Sequence, residues 1–173
     1  MNKVYLVVSV ITMFVTCYLA TSQNGTKLPK KIENLPIGIE VRHNLEQVYA
    51  TFNEDYPTRG GIFKWEYQTS VKATITDLKI IEFGGFILEG SKWIEKNIEL
   101  RPFNNQEFQD WYKCPSGVLK KGQIYTDTNN WGTSNKIEDI ETKTLWYFIG
   151  TNSEGEKFVG FAEIKMIGEL KNK

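Results

Sequence analysis

The chain has 173 residues, of which 40% are hydrophobic and 13% aromatic, so it is long and apolar enough to fold around a single core without metals or disulfides. Its 21 basic and 21 acidic residues balance and are interspersed along the chain. Because a nucleic-acid-binding protein needs a clustered positive surface, we expect no nucleic-acid partner.

The first 22 residues have the pattern of a secretory signal. Met1-Asn2-Lys3 is a short positive start, residues 4–20 are almost entirely apolar, and Ala20-Thr21-Ser22 is a small-x-small cleavage site. We predict a signal peptide over residues 1–22 and a secreted or periplasmic protein with no membrane insertion after cleavage. The alternatives are an uncleaved anchor, whose apolar stretch is barely long enough to span a bilayer, and a lipid anchor on Cys17, whose neighbouring residues fit that signal poorly.

The mature chain divides into an arm and one domain. Residues 23–36 are polar and contain two prolines, which predicts a flexible N-terminal arm. Residues 37–173 are expected to form a single β-rich domain. Within it, residues 38–52 supply one or two strands or a short helix, and the Asp, Pro and Gly residues of 53–61 predict a loop.

The strongest pattern runs from Phe63 to Thr76. Its odd positions are aromatic, branched or small, beginning with Phe63, Trp65 and Tyr67, and its even positions are all polar. Successive side chains of a strand point to opposite faces, so this alternation predicts a long strand with every ring on one side.

Further strands follow along the chain. We predict them at residues 78–83 and 86–88, with a break at Gly84-Gly85, and at residues 93–100 and 118–125. Residues 145–150 and 158–167 flank a run of turn-forming residues, 151–156, and therefore predict a hairpin.

One helix is predicted between these strands. Asn104 can cap it, Glu107 stands where a capping box requires an acid, and Phe108, Trp111 and Tyr112 share one face. Several short strands with a single helix favour an all-β, mainly antiparallel fold, a β-sandwich or jelly roll with one short helix. The alternative is a closed β-barrel.

Several chemistries are poorly supported. His43 is the only histidine, so a zinc site built from several histidines and a two-histidine copper site are excluded within one chain. A lone histidine is more often a surface or capping residue than a catalyst. Once the signal is removed, Cys114 is the only cysteine, and we expect it to be buried and inert.

Residues 125–132 contain the residues most suggestive of a site. Asp127, Asn129 and Glu138 have part of the spacing of a calcium-binding loop, but position five of that loop is Trp131, whose side chain offers no oxygen ligand. An ordinary Asp/Asn turn is the simpler interpretation. We expect Trp131 to be exposed, and an exposed ring beside Asp127, Asn129 and Asn130 could stack on a sugar.

These observations predict a non-catalytic, exported binding module without a cofactor. Its partner would be a carbohydrate or another extracytoplasmic protein. One alternative is a small β-barrel that binds an apolar ligand. The other is a carboxylate-based hydrolase, which needs two acids facing one cleft.

Overall fold

The computed structural model describes residues 26–58, 60–137 and 141–171. The predicted signal peptide, Cys17 and Glu138 lie outside the described residues, and the boundaries given above for signal, arm and domain stay predictions. In the described part of the chain, no helix is long and apolar enough to cross a membrane.

Nine strands and one α-helix form the regular structure of these ranges. The strands are β1 (Ile39–His43), β2 (Gln47–Phe52), β3 (Phe63–Ala73), β4 (Leu78–Glu89), β5 (Lys92–Glu95), β6 (Val118–Leu119), β7 (Ile124–Ser134), β8 (Glu141–Thr151) and β9 (Lys157–Leu170). Helix α1 (Asn105–Tyr112) lies between β5 and β6.

The strands form two layers that share a core. In the first layer, β3 lies between β1 and β7, and both pairings are antiparallel. In the second, β9, β8 and β4 are neighbours, and β4 also pairs with β5 and β6, all antiparallel. Strand β2 links the layers, because it pairs with the start of β3 at one end and runs parallel to β9 at the other.

This arrangement confirms the all-β sandwich with one short helix. The closed barrel is wrong, because the sheet path runs from β1 to β5 without returning, and within the described residues β7 pairs only with β3. Among the named strands of the described residues, the β2–β9 pairing is the parallel one, and isolated parallel bridges also join Ile37 to Val159 and Ala73 to Lys121.

The alternation from Phe63 is confirmed in β3. Trp65, Tyr67 and Val71 are at most 4% exposed, whereas the even-numbered side chains between them are exposed or half-buried. Across the core, the Trp146 indole N–H donates to the Tyr67 hydroxyl at 2.7 Å. The Trp65 indole likewise donates to the Ile167 carbonyl at 2.8 Å, so both rings tie the two layers together.

Helix α1 begins as the sequence predicts. The Asn104 side chain accepts from the backbone N–H groups of Gln106 and Glu107, and the Glu107 carboxylate accepts from Asn104 N–H, which completes the capping box. Phe108 and Tyr112 are buried, whereas Trp111 is 37% exposed and contacts the rings of the core with one side only. The final hairpin is also confirmed in β8 and β9.

Two local expectations are corrected. Gly84-Gly85 does not interrupt a strand, since β4 runs through both residues. A Cβ atom at Gly84 would lie 2.8 Å from Asn97 Oδ1, and that oxygen accepts a hydrogen bond from Gly85 N–H. Gly84 therefore makes room for the Asn97 side chain beside the strand, and the irregularity of β4 lies between Ile80 and Glu82.

Residues 26–36, expected to be part of a loose arm, pack on the molecule and are called the N-terminal segment below. Leu28 is 6% exposed and Ile32 is 1% exposed. Both join a second apolar cluster, on the outer face of the β4–β8–β9 sheet, that includes Phe86, Leu145 and Tyr147.

Candidate functional site

Strand β7 contains four of the residues singled out from the sequence. Asp127, Asn130 and Trp131 pair with β3, so the predicted Asp/Asn turn does not reverse the chain here. Asn130 faces Tyr67 and Asp127 faces Thr69. Because two residues of β7 lie opposite one residue of β3 between these pairs, the strand contains a bulge. The turn-forming residues produce that bulge rather than a chain reversal.

The four side chains do not converge. Asp127 and Asn130 are 8% and 4% exposed and face the interior. Asn129 is exposed, and its backbone N–H donates to Asp127 Oδ1 at 2.9 Å. Trp131, expected to be exposed, is half-buried and lies opposite Glu66, on the outer face of the sheet.

This arrangement does not support the calcium-binding hypothesis. Asp127 is buried and Asn129 is exposed, so these two potential ligands do not face one position. Glu138, the third, lies outside the described residues. Among the residues that the structure describes, no group of three histidine, cysteine or acidic side chains could hold a metal ion.

Asn130 instead belongs to a buried polar network. The Asn130 amide donates to the Thr69 hydroxyl at 2.8 Å, and that hydroxyl lies 3.0 Å from His43 Nδ1. His43 Nε2 lies 3.3 Å from the carbonyl oxygen of Ala162 in the opposite layer. Burial lowers the pKa of His43 to about 4 and raises the pKa of Asp127.

The surface around Trp131 is a different environment. A shallow depression of about 10 Å³ is lined by Trp131, Lys64, Asn53 and Asp55. Because this volume admits about one water molecule, the depression can seat a projecting group but cannot enclose a ligand. Lys64 forms an ion pair with Glu66, the residue opposite Trp131.

The loop that follows β2 holds one wall of this depression in place. The Asn53 amide donates to the Gly61 carbonyl at 2.8 Å, and Asn53 Oδ1 accepts from Asp55 N–H at 3.2 Å. The composition of residues 53–61 predicts the loop but not its position beside Trp131. An Asn-x-Asp pattern such as Asn53-Glu54-Asp55 is typical of a tight turn. The β2–β3 and β3–β7 pairings then bring this turn close to Trp131.

Exposed aromatic side chains lie in the same part of the sequence. Phe52, at the end of β2, is 65% exposed, and Tyr56 in the loop is 50% exposed. The Phe52 ring contacts the ring of Phe63 at a centroid distance of 5.6 Å. Large exposed rings near a shallow polar depression are typical of surfaces that contact a partner.

One pair of carboxylates does converge elsewhere. Glu82 Oε1 and Glu95 Oε1 lie 2.7 and 2.8 Å from the same Tyr147 hydroxyl. Lys31 Nζ, however, lies within 3.1 Å of both carboxylates and of that hydroxyl. The space between the acids is therefore filled by an ammonium group, so this pair does not face a cleft as a glycosidase pair must.

The single thiol of the described chain is structural. Cys114 is free and fully buried, and burial raises its pKa to about 11, although its hydrogen bond with Tyr125 lowers it. His43 is engaged by Thr69 and Ala162. The structure therefore gives no support to a Cys114–His43 catalytic pair, which would need the two side chains within hydrogen-bond distance.

Comparison with known proteins gives matches among solved structures, at low sequence identity. No protein-family model and no curated protein matches the chain. Among solved structures, the ApaA protein of Bordetella pertussis gives a TM-score of 0.45 at 10% identity, covering 77% of this chain and 95% of its own. Murine CRIg gives 0.42 at 10% identity, covering 78% and 98%. Spo0M, a sporulation control protein from Bacillus subtilis, gives 0.35 at 12% identity, covering 75% and 49%.

Proposed function

We propose that this protein is an exported, non-catalytic binding module whose ligand-binding surface is centred on Trp131. The observation that supports this most is the position of its ring. The indole lies on the outer face of the β3–β7 pair, opposite Glu66, although tryptophan usually packs in a core.

The chemistry around this ring suits a carbohydrate. An indole face supplies apolar contact area with few rotatable bonds, and a sugar ring can stack on it. Lys64 and Asp55 supply charged hydrogen-bonding groups at the rim, and Asn53 belongs to the same depression. Of the residues first suggested from the sequence, Trp131 remains in the proposed site and Asn129 is exposed on the same strand, whereas Asp127 is buried and Asn130 belongs to the buried network.

The test is a binding screen followed by one substitution. The purified protein is screened against a panel of glycans and extracytoplasmic proteins, and the Kd of each hit is measured for Trp131→Ala. We expect the Kd to rise by a factor of at least about ten. A loss of this size is usual when a central aromatic contact is removed.

The matched control is Trp111→Ala, which removes another partly exposed indole from helix α1. It should leave the Kd unchanged. Equal binding by wild type and Trp131→Ala would overturn the proposed site, and so would a panel on which nothing binds.

Export is the second part of the proposal and needs its own measurement. Residues 1–22 carry the signal pattern described above, with cleavage expected before Gln23. Mass spectrometry of the N-terminus of the protein recovered outside the cytoplasm should therefore find Gln23 as the first residue. A chain that retains Met1, or one that starts with a lipid-modified Cys17, would contradict this prediction.

A further inference from the structure

The depression beside Trp131 is too small to enclose a sugar. Its volume of about 10 Å³ is room for about one water molecule. Pockets that enclose a small molecule have volumes of roughly 300–1,000 Å³ and cover roughly 70–90% of its surface. A single sugar on Trp131 would therefore bury one face of its ring and leave the other face in water.

This open geometry limits the affinity that one sugar can gain. The free energy of binding must exceed the cost of immobilising the ligand, and most of that cost arises once for each molecule. In a chain of linked sugars, each further unit that touches the protein adds contacts without a second full cost. The Trp131 surface therefore suits a chain of several sugars better than a free monosaccharide.

The loop that follows β2 extends this surface. It rests on the end of β7, the strand that contains Trp131. A Cβ atom at Gly60 would collide with the Thr133 hydroxyl, and one at Gly61 would collide with the backbone of Ser134. Glycine permits this close approach, because a side chain at either position would meet β7. The loop therefore has a fixed position relative to the Trp131 ring.

Hydrogen bonds inside the loop hold Tyr56 in place. Tyr56 N–H donates to the Asn53 carbonyl at 3.2 Å, and Asp55 N–H donates to Asn53 Oδ1 at 3.2 Å. The Thr58 hydroxyl donates to the Asp55 carbonyl at 2.6 Å. Asp55 lines the depression, and the Cα of Tyr56 is only about 3.8 Å further along the chain. Because Tyr56 is 50% exposed, its ring is accessible to a ligand that extends beyond the depression.

The charges around the depression favour an uncharged ligand. Lys64, which lines it, forms an ion pair with Glu66, and Asp55 lies in the same lining. These three described side chains carry two carboxylates and one ammonium. An acidic polysaccharide would place its own carboxylates against them, and like charges that meet across an interface weaken binding. A neutral chain meets the same hydrogen-bonding groups without this repulsion.

We propose that the Trp131 surface binds an internal stretch of a neutral polysaccharide, with one sugar ring on Trp131 and a further one on Tyr56. This inference rests on the function proposed above, which places a ligand on Trp131 without specifying its length or charge. The bound chain passes over the depression and continues along the loop. Tyr56 therefore contacts long ligands and not short ones.

The dependence of affinity on chain length tests this proposal. The Kd of the purified protein is measured by calorimetry for neutral gluco-, xylo-, manno- and chito-oligosaccharides of one to six units. In a series that binds, the hexasaccharide should bind at least about tenfold more tightly than the monosaccharide. A hexamer of galacturonic acid, which has a carboxylate on every unit, should bind at least about tenfold more weakly than the neutral hexasaccharide.

Two substitutions at Tyr56 identify the second contact. Tyr56→Ala should weaken hexasaccharide binding at least about fivefold and leave the Kd of the shortest sugar that binds unchanged. Tyr56→Phe is the matched control, because it keeps the ring and should bind every length as wild type does. Trp131→Ala should weaken binding at every length. A loop that had merely lost its structure would not give this dependence on length.

The outcomes separate this inference from the proposed function. A monosaccharide that binds as tightly as the hexasaccharide, and loses affinity in Trp131→Ala, would leave the Trp131 site in place and overturn the chain-binding proposal. The proposal also fails if Tyr56→Ala binds the hexasaccharide as wild type does, if the acidic hexamer binds as tightly as the neutral one, or if no oligosaccharide binds. In that last case, a protein ligand whose affinity depends on Trp131 would still support the function proposed above.

Discussion

The polar network between the two layers runs in one direction when His43 is neutral. The Asn130 amide donates to the Thr69 hydroxyl, the Thr69 hydroxyl can donate to His43 Nδ1, and His43 Nε2–H can donate to the Ala162 carbonyl. A neutral imidazole has one donor and one acceptor, which is what this arrangement needs. Burial raises the cost of the imidazolium form and lowers the pKa of His43 from 6.5 to about 4.

This shift predicts how stability depends on pH. Between about pH 4 and 6.5 the unfolded chain binds a proton at His43 and the folded chain does not, so the free energy of unfolding should rise with pH. The slope from this group approaches about 1.4 kcal/mol per pH unit. Urea unfolding of wild type and of His43→Gln at several pH values measures the difference.

The comparison with His43→Gln isolates this residue. Carboxylates titrate at the lower end of the same range in both proteins, so their contribution cancels in the difference. Wild type should lose its advantage over the variant as the pH falls to 4. A difference that stays constant from pH 7 to 4 would show that His43 is protonated equally in the folded and unfolded chains.

At the scale of single residues, the sequence predicts burial correctly where side chains alternate along a strand. It does not predict burial where the pairing of distant strands determines which side chains face the core. Trp65 is in the core because it belongs to the alternating face of β3. His43 was expected at the surface, yet the crossing of β1 and β9 brings it to Ala162 in the other layer. Trp131 lies on the outer face because a bulge precedes it, and no local pattern revealed that bulge.

At the scale of elements, Gly160 fixes how closely β1 approaches β9. A Cβ atom at this position would lie 2.2 Å from the carbonyl oxygen of Ile39 and 2.6 Å from its Cβ. The backbone of β1 cannot move aside as the end of a flexible side chain can. Gly160→Ala should therefore force β1 and β9 apart. We expect a loss of about 1–3 kcal/mol in the free energy of unfolding, the usual cost of overpacking.

The matched control is Gly85→Ala in β4. There the added Cβ would lie 3.6 Å from the nearest atom, the Lys96 carbonyl oxygen, which is an ordinary contact. Urea unfolding of both variants gives the comparison, and Gly85→Ala should change stability by much less. Equal losses in the two variants would show that the close approach of β1 to Gly160 does not limit packing.

The elements that the sequence predicts best are those whose stabilising contacts lie between residues close together in the chain. The capping box of α1 and the β8–β9 hairpin lie within a few residues of sequence, and both are confirmed. Strand β7 was expected to end at Tyr125, because its remainder is rich in turn-forming residues. Its pairing with β3 overrides those local preferences. The parallel β2–β9 contact joins distant parts of the chain and has no local signal.

The N-terminal segment shows a pattern that could have been used. Leu28, Ile32 and Leu35 are spaced by four and three residues, which places them on one side of a helical turn. The polar composition of residues 23–36 and their two prolines instead indicate a loose arm. The tertiary cluster that receives these side chains is assembled from three strands, so its existence could not be derived from the segment itself.

At the scale of the whole molecule, the reactivity of the Cys114 thiol shows whether the folded protein opens. The thiol is fully buried between α1 and β6, and its pKa of about 11 keeps it protonated at neutral pH. Since the thiolate is the reactive form, the folded protein should react with a thiol reagent at pH 8 at least about a hundredfold more slowly than the unfolded chain. The rate is followed by absorbance with and without denaturant.

An exposed thiol in the same protein provides the control for reagent access. Ser153 lies in the exposed β8–β9 turn, so a chain with Cys114→Ala and Ser153→Cys should react rapidly while folded. If wild type reacts as fast as this variant, the region around Cys114 opens without global unfolding. A slow rate that rises in parallel with the unfolded fraction measured in urea would instead show that α1 and the sandwich unfold together, because the thiol becomes accessible only when both have separated.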